Sequence, residues 1–296
     1  MITNNQIDGD FMSDNQKNNA LEMPKNTDLA FFAYGILKPG QLAYPNIKDY
    51  VSEKNKAVID YPMNYRDGIP ILLDKETRSG KTGGYILNFN NKKAYEIICK
   101  LISRNLYKWD TIEIEDQTVN VLFGKDPDKG SVHLVDYDSV IDYNGRIDPL
   151  FINSIRLTKE ILDKESFVME RGFFKLQMHY MLLWSAIDRY CKLRYNQDSE
   201  YDNRMKLADE KIFKEALNEY AKNKNRAVYT TDNLVKRSFT KENPRYCMNY
   251  YYTLRCNIVH RGKTSAKDVD MLEEATNELL NIFEYILDKT FKDDEE

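Results

Sequence analysis

Hydrophobic positions follow two different periods along the chain. In the first half, apolar residues form short runs or alternate with polar ones, which is typical of β-strands. In the second half, they recur every three or four residues, which is typical of amphipathic helices. The pattern predicts an α+β protein with a small mixed β-barrel-like domain followed by an all-α helical bundle.

The first half contains several predicted strands and one predicted helix. Asn91 is a candidate N-cap for the helix, which we expect to run to about Arg104. A hairpin is predicted from 111–114 and 119–123. The other predicted strands are 29–35, 57–64, 71–73, 82–89 and 132–137.

Helical periodicity begins near residue 150. A long helix with a broad aromatic face is predicted over 167–195, and residues 222–243 are predicted to be a basic connection. Pro244 suits the first turn of the next helix. The remaining predicted helices are 150–162, 204–220 and one capped by Thr264 or Ser265 that runs to about Phe291.

Polar composition and turn residues indicate the domain boundaries. Residues 1–28 are rich in Asn, Asp, Gln and Lys without a period, so we expect a mobile tail. Asn144-Gly145 and Pro149 mark a break. We therefore predict one domain over 29–147 and a second over 148–296.

Charge is unevenly distributed, although the total is only −4. Residues 222–263 hold ten Lys/Arg and two Asp/Glu, whereas residues 264–296 hold three and eleven. The basic strip could track RNA phosphates. The alternative is a solvated face neutralised by the acidic last helix.

Cysteine and hydropathy patterns exclude several classes. The four cysteines form no CxxC pair and the chain has three histidines, so neither a metal site nor a cofactor is predicted. There is no apolar run of membrane-spanning length and no signal peptide. We expect a cytoplasmic protein without a membrane partner.

The candidate chemistry lies on the predicted helix that starts at Pro244. Cys247, Tyr251, Leu254 and Ile258 form its apolar face. At about 100° per residue, Arg255 lies at the edge of this face and His260 nearly opposite it. The alternative is helix capping, since cations and Gly262 suit a helix C-terminus.

The Arg255-x4-His260 spacing on a helix resembles the signature of the HEPN family, all-helical domains many of which are metal-independent ribonucleases. The resemblance covers about the C-terminal half of the chain, including the helix around 181–190. It implies that Arg255 stabilises the charged phosphorane and that His260 transfers protons. Cys256 departs from the more polar residue usual in active members, and Asn257 is a candidate to orient the scissile group instead.

Several neighbours are candidates for RNA binding. Arg245, Arg261 and Lys263 could hold phosphates, and Tyr250 and Tyr252 could stack bases, although such tyrosines are more often packing residues. Five residues apart on a helix, Arg255 and His260 point about 140° from each other. HEPN nucleases build the site from two facing domains, so the resemblance implies a homodimer through the helical domain.

Residues Tyr34, Gly35, Ile36, Leu37 and Gly40 resemble the substrate loop of gamma-glutamylcyclotransferase-like proteins. The resemblance covers about residues 29–140 and implies a loop whose backbone N–H groups hold a carboxylate. The family's glutamate would fall near 103–104, which are Ser and Arg, and Glu96 is about two turns too early. We therefore expect a non-catalytic domain that binds a small acidic ligand or a protein partner. A tight structural turn is the alternative.

Together these features predict a metal-independent endoribonuclease that cleaves RNA through its 2′-OH. The family association suggests a toxin or antiphage defence effector with a ligand- or partner-sensing N-terminal domain. Two alternatives remain from the sequence: a non-catalytic binding or scaffold protein, and a cyclotransferase-type enzyme, against which the missing carboxylate argues.

Overall fold

The computed structural model divides the chain into two compact units, residues 1–143 and 144–296. The division falls four residues before the predicted end of the first domain at 147. The described residues are 20–66, 68–74, 79–125, 131–132, 139–164, 166–167, 170–222, 224, 226–230, 234–261 and 266–291. At 131–132, 260–261 and 266–267 the description covers the backbone alone.

In its described residues, the first unit is a mixed sheet with one α-helix, α1 (Lys93–Leu101). Asn91 Oδ1 accepts from the Lys93 amide at 2.9 Å, but the N-cap is Lys92, one residue later than predicted, and the helix ends at Leu101 instead of near Arg104. The strands are β1 (Ala30–Ala33), β2 (Val51–Ile59), β3 (Met63–Arg66), β4 (Ile69–Leu72), β5 (Lys81–Phe89), β6 (Tyr107–Ile114), β7 (Gln117–Gly124), β8 (Ser131–Val132) and β9 (Val140–Ile141).

The sheet follows the order β2-β5-β1-β7-β4-β3-β8, with β6 paired to β7 and β9 to β5. β1 lies in the middle of the sheet, antiparallel to β5 and parallel to β7. Its four residues are all buried, as expected for a central strand. The two ends of the strand order, β2 and β8, do not pair with each other in the described part of the chain. The expected closure into a barrel is therefore not found there.

Two strand predictions need correction. The predicted strand 57–64 is two strands, because the chain breaks at Tyr61-Pro62 and proline cannot donate to a ladder. The predicted strand 132–137 begins as β8, but residues 133–138 lie outside the described residues. The hairpin predicted from 111–114 and 119–123 is confirmed as β6 and β7.

Residues 20–28 form an ordered segment, which we call the N-terminal strap. Ala20 bridges to Ser103, and the Leu21 amide donates to the Cys99 carbonyl at 3.0 Å. Trp109 Nε1 donates to the Glu22 carbonyl at 2.7 Å. The prediction of a mobile tail is therefore wrong for residues 20–28, whose backbone is held by partners distant in sequence. Residues 1–19 lie outside the described residues.

The second unit is mainly helical and includes a short β-hairpin. The hairpin, β10 (Arg226–Tyr229) and β11 (Lys236–Phe239), lies in the segment predicted to be a basic connection, where we predicted no strand. The helices are α2 (Pro149–Lys164), α3 (Glu170–Tyr195), α4 (Glu200–Asp209), α5 (Lys211–Tyr220), α6 (Pro244–Arg261) and α7 (Ala266–Thr290).

The predicted helix 204–220 is wrong as one element, because Glu210 is extended between α4 and α5 (φ −67°, ψ 145°). Arg194 from α3 holds the Glu210 carboxylate through two contacts, Nε to Oε1 at 2.9 Å and Nη2 to Oε2 at 3.1 Å. A bidentate pair of this kind fixes the corner. It joins residues 16 positions apart, so helical periodicity could not reveal it.

A buried carboxylate joins the hairpin to α7. Glu278 is 3% exposed and accepts from the Tyr251 hydroxyl at 2.8 Å and from the Lys222 amide at 2.8 Å. It also pairs with Arg226 of β10. The three partners of Glu278 offset the cost of burying its charge.

Candidate functional site

Helix α6 carries the candidate motif and begins at Pro244, as predicted. Of the predicted apolar face, Cys247, Tyr251 and Leu254 are buried and Ile258 is half-buried. The buried surface is wider than expected, because Met248 and other residues on neighbouring faces also pack inward.

Arg255 lies at the edge of the buried face, half-exposed to solvent. Its guanidinium carbon is 5.7 Å from the centroid of the Tyr252 ring. The Arg255 Nε atom is buried and has no hydrogen-bond acceptor among the described residues. Because Arg255 as a whole is half-exposed, the solvent-facing side of its guanidinium can meet an anionic group.

Arg204 of α4 lies over the same ring, with its guanidinium carbon 3.4 Å from the Tyr252 centroid. Its side chain is almost wholly buried, and its Nε and Nη1 atoms form no hydrogen bond with described residues. The nearest paired carboxylate oxygen, on Glu200, is 3.8 Å from Nη1. Trp184 of α3 packs edge-on against Tyr252, with the ring centroids 5.7 Å apart.

Asp188 of α3 supplies the carboxylate of this group. Burial raises the pKa of Asp188 to about 6, with a further increase from Glu200, while the charges of Arg204 and Arg255 oppose the rise. Burial therefore outweighs two nearby arginines, and Asp188 changes protonation close to neutral pH. We call Asp188, Arg204, Tyr252 and Arg255 the Tyr252 cluster.

The sequence analysis identified Arg255 and Tyr252 but not Asp188 or Arg204. Asp188 is part of the Leu183-Trp184-Ser185-Ala186-Ile187-Asp188 run of a predicted core helix, and Arg204 begins what we predicted as an amphipathic helix. The sequence signal for Asp188 and Arg204 is that each is a charged residue on the apolar side of its helix. Asp188 and Arg204 approach α6 through tertiary contacts, which the periodicity of a single helix cannot reveal.

Asn257 does not face the Tyr252 cluster. It is 4% exposed, and its Nδ2 donates to the Tyr229 carbonyl of β10 at 2.8 Å. This bond attaches the hairpin to α6. The buried amide has a structural explanation, so the prediction that Asn257 orients the scissile group is not retained.

The predicted phosphate contacts have different outcomes. Arg245 already binds Asp209, with Nε to Oδ1 at 2.7 Å and Nη2 to Oδ2 at 2.6 Å, which lowers the pKa of Asp209. His260 and Arg261 lie at the C-terminal end of α6, and their side chains lie outside the described residues, as does all of Lys263.

The predicted base-stacking tyrosines are packed. Tyr250 is fully buried, with ring centroids of Phe239 and Tyr251 at 5.4 and 5.7 Å, so the stacking prediction is wrong for it. Tyr252 is half-buried beneath Arg204.

Part of the basic strip is neutralised within the protein. Lys222, Lys224 and Arg226 all pair with Glu274 of α7, at 3.3, 3.8 and 3.5 Å. For these cations the acidic last helix provides the counter-charge, in agreement with the alternative interpretation of the strip.

The Tyr34–Gly40 loop is packed into the first unit. The Tyr34 hydroxyl donates to the Leu122 carbonyl at 2.6 Å and accepts from the Leu72 amide at 3.1 Å. Gly35 has φ +61°, and a Cβ there would lie 2.4 Å from Pro70 Cγ. Ile36 and Leu37 are buried in a 3-10 turn, and Gly40 has φ +72°. Both glycines are therefore explained by a tight turn, which was the alternative to a ligand-binding loop in the sequence analysis.

Comparisons with protein-family models, with curated proteins and with solved structures found no match to this chain. In the described ranges, no three His, Cys, Asp or Glu side chains are arranged to hold a metal ion. The helices described contain no apolar stretch of the length that crossing a membrane requires.

Proposed function

We propose that the helical unit is a metal-independent endoribonuclease of the HEPN type, with Arg255 and His260 as its catalytic residues. The proposal depends mainly on the surroundings of the Arg255 guanidinium. Its guanidinium carbon lies 5.7 Å from the Tyr252 ring centroid, and its buried Nε has no acceptor in the described chain, five residues before His260 on α6.

The chemistry follows from the two residue types. The RNA 2′-OH loses a proton and attacks the adjacent phosphorus, and the 5′-oxygen leaves with a proton. An imidazole ordinarily titrates near neutrality, so we assign His260 the acceptance of the first proton or the donation of the second. The Arg255 guanidinium stabilises the negative charge on the phosphorane oxygens.

Within this proposal the Tyr252 cluster positions Arg255. The Tyr252 ring supports the guanidinium, while Asp188 and Arg204 set the local charge. Because Arg255 and His260 diverge along a regular helix, two copies of the helical unit would combine their residues in one site. A homodimer is thus part of the proposal, and RNA in the cytoplasm is its substrate.

The experiment that tests this function is cleavage of single-stranded RNA by the purified full chain in EDTA, with mapping of product ends. Fragments ending in 2′,3′-cyclic phosphate support the proposal, because the attacking group is the RNA's own 2′-OH. Sedimentation at micromolar concentration tests the dimer. A strict monomer that still cleaves RNA would refute shared sites while leaving the nuclease intact.

For the N-terminal unit we propose a non-catalytic, cyclotransferase-like domain that regulates the helical unit in a toxin or antiphage defence setting. Residues 101–107 contain no carboxylate to move a proton. Release of 5-oxoproline from gamma-glutamyl dipeptides by the pure protein would contradict this.

A second candidate function is a non-catalytic binding or scaffold protein. Asn257 and Arg245, both expected at the RNA site, are engaged in contacts within the fold. Binding of RNA without cleavage would favour this alternative.

A further inference from the structure

A groove of about 570 Å³ lies between the N-terminal strap and the beginning of β6. The strap residues 21–26 form one wall, and Arg104, Asn105 and β6 residues 108–111 contribute to the other. The volume is within the range of sites that bind small molecules, about 300–1,000 Å³. No residue of the Tyr34–Gly40 loop lines this groove.

Side chains of the sheet fix the walls. Trp109 Nε1 donates to the Glu22 carbonyl, and Asn120 Nδ2 donates to the Asn26 carbonyl, each at 2.7 Å. Lys125 Nζ donates to the Arg104 carbonyl, also at 2.7 Å, and so ties the turn after α1 to the end of β7. A groove held at three points has its shape before a ligand arrives, which reduces the entropic cost of binding.

The charges around the groove are unbalanced. Among the residues that the structure describes, its charged lining consists of four cations, Lys25, Arg104, Lys108 and Lys125, and two carboxylates, Glu22 and Asp110. All four cations are exposed, and among the described residues no carboxylate oxygen lies within 4.0 Å of any of them. Within the described part of the chain, the groove thus carries an excess of two positive charges without an ion-pair partner.

We propose that this groove binds a phosphate monoester of nucleotide size. A phosphate monoester carries about −1.5 to −2 charges at pH 7, which matches the excess, whereas a carboxylate carries only −1. The Arg104 guanidinium suits phosphate oxygens through its planar set of donors. The Thr111 hydroxyl and Asn105 amide also lie in the lining. The half-buried Trp109 indole offers apolar surface beside them.

The test is calorimetric titration of the full chain with adenosine 5′-monophosphate, with adenosine as the uncharged comparison. Fluorescence gives a second readout, because Trp109 is one of two tryptophans and the other, Trp184, is buried in the helical unit. The variants are Arg104→Gln and Lys108→Gln. Lys54→Gln is the matched control, since it removes an equally exposed cation on β2, outside the groove lining.

We expect saturable binding of the monophosphate, weakened about tenfold or more by Arg104→Gln or Lys108→Gln, as befits loss of a charge-assisted contact. Lys54→Gln should leave the dissociation constant unchanged, and adenosine should bind far more weakly. The proposal is overturned if the monophosphate does not bind at millimolar concentration, if adenosine binds equally well, or if both groove variants bind like the wild type. Binding is measured without RNA, so the result is independent of the ribonuclease proposal.

Discussion

The guanidinium carbon of Arg204 lies 3.4 Å from the centroid of the Tyr252 ring, the distance of a direct stack. The two residues belong to α4 and α6, so this contact joins the helix that carries Arg255 to a neighbouring helix. A guanidinium removed from water over an aromatic face stabilises by about 2 kcal/mol. The stack is therefore a structural support of the candidate site.

Replacing the ring should reveal this contribution. Tyr252→Leu should lower the free energy of unfolding by roughly 2–3 kcal/mol, because the stack and aromatic packing are both lost. Tyr252→Phe is the matched control. It should change the free energy of unfolding much less, because the aromatic face remains. Urea unfolding followed by circular dichroism measures both. Equal stability of the two variants would show that the stack does not contribute.

Asp188 should make stability depend on pH. Burial raises its pKa from 3.8 to about 6, so the folded state disfavours the charged form. The resulting penalty is present above pH 6, decreases as pH falls through 6, and is absent below 3.8. Asp188→Asn removes the charge and should stabilise the protein by roughly 1–3 kcal/mol near pH 8.

The same substitution should have little effect near pH 4, where the wild-type carboxyl is already largely neutral. Unfolding in urea at the two pH values measures the difference. Asp163→Asn is the control, as an exposed carboxylate at the end of α2. Destabilisation by Asp188→Asn at pH 8 would mean that ion pairing with Arg204 and Arg255 outweighs burial.

Glu278 should be far more sensitive than other carboxylates of α7. Glu278→Gln leaves Arg226 with a weaker partner in a buried position, and removing one member of a buried ion pair costs about 3–5 kcal/mol. Because the glutamine amide can still form hydrogen bonds, we expect the loss of unfolding free energy to lie near the lower end of this range. Glu273→Gln, exposed on the same helix, is the matched control. A similar melting temperature for the two variants would contradict the role of Glu278.

The sequence could predict the elements whose residues obey a local period. Cys247, Tyr251 and Leu254 follow a helical spacing, and the structure buries all three on α6. The alternation over 111–123 likewise predicted the hairpin of β6 and β7. In both cases the element's own side chains determine which face is buried.

The features that sequence analysis missed depend on distant partners. The hairpin β10–β11 is fixed by Glu278 through Arg226, and the break between α4 and α5 is fixed by Arg194 through Glu210. The strap is polar and aperiodic, yet Trp109 and Asn120 hold its carbonyls. At the candidate site, Arg255 could be recognised from its spacing to His260. Asp188 and Arg204 come near Arg255 only through the packing of α3 and α4, so no local sequence pattern identifies them.

Arg255 and His260 are the residues that we propose to cleave RNA. The most direct measurement compares the rate of RNA cleavage in EDTA by the wild type, His260→Ala and His179→Ala. His179 is the matched control, on α3, where its Nδ1 lies 2.7 Å from the Lys175 carbonyl. Loss of a general acid or base lowers a rate by about 10²–10⁴-fold. We expect a loss of that size for His260→Ala and none for His179→Ala. Cleavage that is absent in the wild type, or equally fast after His260→Ala, would contradict it.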